Sequence, residues 1–142
     1  MKHVHSTLLT VILAVSAPLA QAAGPLSAAE VEKVTGLSGL HTAAGKYDKT
    51  GFNVLDAKGQ IVVSVKDQPA SVYEIWKQAP GQPVAGLGEA AFLSKTGLVA
   101  SICFKKSGRG ICVSGSTSEL PGSAAVTEAQ LMDLARAAAS HL

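Results

Sequence analysis

The sequence predicts an α+β fold, an antiparallel sheet with three helices in the order αβββαβββα. Three segments open with helix-start signals, and the stretches between them alternate apolar and polar residues. Turn residues cut those stretches into hairpin-length pieces, the pattern of antiparallel strands packed on a few helices.

The first helix opens at Ser27, with Glu30 three residues later. That spacing lets hydroxyl and carboxylate satisfy each other's free backbone amides, and Gly36 closes the segment. Strands follow over 41–47 and 52–55, flanking the turn Asp48-Lys49-Thr50-Gly51. A third strand over 60–65 comes after Ala57-Lys58-Gly59. The second helix is expected over 67–81, with Pro69 in its first turn, where a missing N–H costs nothing. Helical spacing there predicts that Val72, Ile75, Trp76 and Ala79 are buried, and Pro80-Gly81 stops the helix. Strands are expected next over 90–94, 98–104 and 110–115, with turns at Lys95-Thr96-Gly97 and Ser107-Gly108. The last helix repeats the capping device with Thr127 and Gln130. It carries Leu131, Leu134, Ala135, Ala138 and Leu142 on one face, with Asp133 and Arg136 turned away.

A faint internal repeat runs through this order. "AAGKYDKTGFNVL" resembles "AAFLSKTGLVASI", with turn glycines Gly51 and Gly97, and "KGQIVVSV" resembles "RGICVSG". A duplicated αβββ unit and chance recurrence of a common hairpin turn both account for it.

The two cysteines fall in "SICFKKSGRGICVSG". A two-residue loop at Ser107-Gly108 sets Lys106 against Arg109, Phe104 against Ile111 and Cys103 against Cys112. Counting from the loop, the cysteines occupy a non-hydrogen-bonded pair. Opposed α-carbons there approach to about 4.5 Å, within reach of a disulfide. Alternation sends Ile102, Phe104, Ile111 and Val113 to the core and both cysteines to the opposite face, away from the main core. A structural staple suits this spacing. A redox pair of the Cys-x-x-Cys kind would sit at a helix start. A zinc site needs three or four ligands, and His41 and His141 show no ligand spacing with the thiols.

The first 22 residues read as a signal peptide: Lys2, the apolar run "LLTVILAVSAPLA", then the small-x-small ending Ala20-Gln21-Ala22. An uncleaved anchor is the competing reading, but the run is short for a membrane span. Cleavage removes 22 of the 142 residues, leaving a single domain over 23–142 with eleven basic and ten acidic side chains. That near-neutral balance argues against a nucleic-acid binder or a polybasic membrane binder. The expected location is periplasmic or secreted, with no stable membrane insertion after cleavage.

No catalytic constellation stands out. "GLGEAA" over 86–91 fits Gly-x-Gly-x-x-Ala, but it follows a proline-containing loop and leads into a strand, so it reads as a turn. The two Lys-Thr-Gly triplets lack the Ser-x-x-Lys partner of penicillin-binding enzymes. The carboxylates are scattered, and no cofactor or metal is expected. A small secreted hydrolase would use His41 beside a serine brought close by the fold, while structural readings are favoured for both His41 and His141. Candidate binding residues are Trp76 and Tyr73, where the second helix meets the sheet, and Lys105, Lys106 and Arg109 at the hairpin tip. Each has a plainer reading, as core aromatics and as solvated charge.

"GLGEAAF" and the ending "LMDLARAAASHL" resemble small secreted actinobacterial proteins, which in turn are similar to extracellular sensor domains of bacterial kinases. The resemblance covers the last third to half of the chain and departs from the family in lacking a lipid-attachment cysteine. It implies an α+β domain that binds something, and no catalytic residues. The resulting expectation is an exported, non-catalytic binding or interaction module, sensor-like or inhibitor-like. Its partner would be another exported protein or a small apolar ligand. A small hydrolase using His41 and a structural envelope protein are the alternatives.

Overall fold

The computed structural model describes residues 24–45 and 49–142. The expected signal peptide, Tyr47 and Asp48 lie outside the described residues. Ten elements follow in order: α1 (Ala28–Thr35), β1 (His41–Ala44), β2 (Gly51–Leu55), β3 (Ile61–Pro69), α2 (Ala70–Trp76), β4 (Gln82–Pro83), β5 (Ala90–Thr96), β6 (Val99–Lys106), β7 (Arg109–Ser116) and α3 (Glu128–Ser140). The chain is α+β in the order expected, with the two-residue β4 as an addition.

All seven strands form one antiparallel sheet, ordered β1-β2-β3-β7-β6-β5-β4. The third strand of each expected triplet therefore meets the other at the centre, β3 against β7. Beyond this seam β2 mirrors β6 and β1 mirrors β5. The helices do not share that mirror relation: α1 packs with α3, whereas α2 lies on the other face of the sheet.

Both capping boxes form. Ser27 Oγ accepts from the Glu30 amide at 3.3 Å, while Glu30 Oε2 accepts from the Ser27 amide at 2.8 Å. Thr127 and Gln130 do the same for α3 at 3.1 and 2.9 Å. Gly36 ends α1 at φ 74°, the left-handed conformation that glycine adopts without a Cβ clash.

The main core lies between α1 and α3 and one face of the sheet. Val54, Val63, Val65, Ile102, Phe104, Ile111 and Val113 point into it, as do Leu131, Leu134, Ala135 and Ala138. Leu142, expected on the same helical face, packs only partly against it. At Gly115 a Cβ would come within 2.3 Å of Val126 Cγ2, so a bare backbone is what lets the segment leading into α3 settle on β7.

The second helix departs from the sequence reading. Residues 66–69 continue β3, pairing with β7 from Lys66↔Cys112 to Pro69↔Arg109. Asp and Pro discourage a strand assignment, but Asp67 is held by an ion pair with Arg109. Pro69 stands at the strand's last position, where its missing N–H does no harm. The helix thus begins at Ala70, whose amide donates to Gly108 O at 3.0 Å, and it ends at Trp76, short of the expected Ala79. Its inward face is Tyr73 with Trp76, while Ile75, expected to be buried, is 64% exposed and Ala79 is exposed.

Candidate functional site

The site is built on the sheet face opposite α1 and α3. Cys112 lies beside Lys66 on β3 and Cys103 on β6, and Cys103 lies beside Phe92 on β5. Cys103 and Cys112 form a disulfide across the expected pair, with α-carbons 4.0 Å apart. The register follows from the turn: Ser107 at φ 51° and Gly108 at φ 75° both take the positive values that a tight two-residue hairpin loop requires. The cysteines are outside the main core, as alternation placed them. They are nevertheless buried, at 3% and 7% exposure, because α2 covers them with Tyr73 and Trp76. A helix crossing the second face was not legible from alternation alone.

Gly110 lets α2 come this close. A Cβ there would lie 3.3 Å from Tyr73 Cβ and 3.4 Å from Trp76 Cζ3. Tyr73 then leans on Phe92, with ring centroids 5.6 Å apart and planes tilted by 53°. Lys105 Nζ stands over the tyrosine ring, 5.7 Å from its centroid. Two open clefts flank α2. One, of about 460 Å³, runs between α2 and the β4–β5 edge. Tyr73 and Lys77 line one side, and Pro83, Val84, Ala90 and Phe92 line the other. The second, of about 210 Å³, lies past Trp76 over the disulfide, with Lys66, Ser94, Ser101 and Ser114 around it.

Tyr73 is 1% exposed, and no hydrogen bond reaches its phenol among the described residues. No fully enclosed side-chain oxygen or nitrogen lacks a partner among them. The sliver of Tyr73 that stays accessible therefore includes its phenol oxygen. Burial raises the phenol's pKa, with the Glu74 carboxylate adding to the rise and Lys105 opposing it, so the group stays protonated and able to donate.

The hairpin tip divides between the two faces. Lys105 turns to the α2 side and pairs with Glu74 at 2.8 Å, which raises the lysine's pKa and lowers the carboxylate's. Lys106 turns to the other side and donates to Ala139 O at 2.7 Å, capping the last turn of α3, where a cation complements the helix dipole. Arg109 is bidentate with Asp67, and this contact raises its pKa against the opposing effect of burial. All three cations thus have partners within the fold, and the sheet separates Lys105 from the others.

Family models, curated proteins and solved structures give no match to this chain. The likeness of "GLGEAAF" and "LMDLARAAASHL" to secreted actinobacterial proteins rests on those residues alone. Of "GLGEAA", residues 86–89 form the bend, with Gly86 and Gly88 at φ 73° and 60° and Leu87 buried between them, and Ala90 and Ala91 already belong to β5. A Cβ on Gly88 would lie 2.5 Å from Lys105 O, so the glycine there serves close backbone approach beside β6.

His41 is exposed at the start of edge strand β1, and no serine hydroxyl hydrogen-bonds it among the described residues. His141 instead meets Glu30, Nε2 to Oε1 at 2.5 Å, joining the end of α3 to the start of α1. Sequence reasoning missed Lys77 and Phe92 as parts of the cleft. The one available signal, the aromatic Phe92 in register with Cys103, needs the β5–β6 pairing to be known first.

Proposed function

We propose that the protein is an exported, non-catalytic binding module whose ligand is a small, largely apolar molecule. It lies in the cleft between α2 and the β4–β5 edge. One observation carries this reading: Tyr73, whose phenol has no hydrogen-bond partner among the described residues, lines a cleft whose other side chains are apolar except Lys77 and which is large enough for a small molecule. The disulfide suits an oxidising compartment. No helix among the described residues is long and apolar enough to cross a membrane. The resemblance to secreted sensor-type domains points in the same direction. A second reading is a protein partner seated on α2, with Ile75, exposed on the helix's outer side, as its contact.

The full chain is expressed in a bacterium and recovered from the exported fraction. Its N-terminus is expected at Ala23. Ligand-observed NMR with a panel of small apolar compounds is expected to show binding that Ala90→Leu, which fills the cleft, reduces. Binding indifferent to Ala90→Leu, or no binding at all, overturns the cleft reading. In the latter case, capture of an exported protein through Ile75 supports the second reading.

A further inference from the structure

We infer that the cleft selects apolar acids: a hydrocarbon body against Phe92, Val84 and Pro83, and a carboxylate held by Lys77 and the Tyr73 phenol. This rests on the cleft reading and adds the head-group chemistry to it. Lys77 is the only charged residue lining the cleft, and it has no ion pair or hydrogen bond through its ammonium among the described residues. Glu74, a carboxylate whose charge also interacts with Lys77, is engaged by Lys105 at 2.8 Å and does not line the cleft. The cleft thus presents one cation and no carboxylate, which favours an anionic head over a cationic one. The second donor in this proposal is the Tyr73 phenol: Tyr73 lines the same cleft, one helical turn before Lys77, whose amide donates to Tyr73 O at 2.9 Å. A carboxylate can accept from both, and charge-assisted bonds of this kind exceed neutral ones in strength. The remaining surface, Pro83, Val84, Ala90 and Phe92, offers nothing polar from its side chains and suits an alkyl or aryl body.

The test compares octanoate, 1-octanol and octylammonium by NMR titration into the full chain, alongside Lys77→Gln and Tyr73→Phe. Octanoate is expected to bind about fivefold more tightly than 1-octanol, the gain of one solvent-exposed ion pair together with a hydrogen bond. Octylammonium is expected to bind more weakly than either. Lys77→Gln should reduce the octanoate preference to the share left by the phenol hydrogen bond and leave 1-octanol unchanged. Tyr73→Phe, which keeps the ring against Phe92, should weaken octanoate by about threefold, again without touching 1-octanol. Equal binding of acid and alcohol, or octanoate binding unaffected by Lys77→Gln, overturns the head-group inference while the cleft reading stands. Failure of all three probes to bind overturns the inference along with the cleft reading.

Discussion

Ser107 and Gly108 decide the position of every residue in the hairpin above them. With both at positive φ, the loop takes two residues and no more, and the count outward puts Cys103 opposite Cys112. This much was legible because hairpin register depends on local turn chemistry and strict two-residue alternation. The tyrosine and tryptophan that cover the disulfide were named as candidates, yet their contact with the cysteines depends on a helix that folds over from far along the chain. The bridge closes a short loop, for which chain entropy sets an upper value of about 3 kcal/mol. The turn and the β6–β7 ladder already hold the same residues together, so the realised contribution is smaller. Replacing both cysteines by alanine is expected to lower unfolding free energy in urea by about 1–2 kcal/mol. A loss near zero would mean that the turn and the β6–β7 ladder hold the hairpin together without the covalent link.

The helices separate what local sequence fixes from what it does not. The starts of α1 and α3 were readable because a capping box is a four-residue device that needs no tertiary partner. The start of α2 was not, because Pro69 fits a helix's first turn and a strand's end equally well. The choice is made by the β3–β7 pairing and the Asp67–Arg109 contact. Moving the start rotated the expected face, exposing Ile75 and burying Tyr73.

A different long-range contact ties α1 to α3. Burial pulls the Glu30 carboxyl upward, but its bonds to His141 and Ser27 outweigh this and hold it below its usual 4.5. A carboxyl with a lowered folded-state pKa stabilises above its unfolded value, and that stabilisation is lost as pH falls through the folded value. Glu30→Gln keeps a capping side chain but removes the charge. It is expected to cost a few tenths to about 1 kcal/mol at neutral pH, the range for a partly exposed pair. Urea titrations from pH 7 down to pH 3 should show the gap between variant and wild type closing below the usual carboxylate value. A gap that stays constant across that range would assign the loss to geometry alone.

At the scale of the whole molecule, the organising fact is the seam where β3 meets β7. Each half of the sheet is a set of local hairpins, and turn residues announced most of them in the sequence. The seam joins segments some 48 residues apart, such as Val65 and Val113, and nothing in either strand's own residues specifies the other as its partner. It is nevertheless the part of the sheet buried on both sides. Val65, Ile111 and Val113 lie under α1 and α3, while Cys112 and Gly110 lie under α2. Edge strand β1 has four residues with mostly exposed side chains, and β4 has only two. Short edges of this sort resist pairing with another chain but add little to stability. Amide hydrogen exchange should therefore be slowest in β3, β6 and β7, opening only with global unfolding, and fastest in β1 and β4. If the seam instead exchanged as fast as the edges while β5–β6 stayed protected, the two halves would open separately. The α2 cleft would then lose part of its support, since α2 hangs from the end of β3 and rests on β6 and β7.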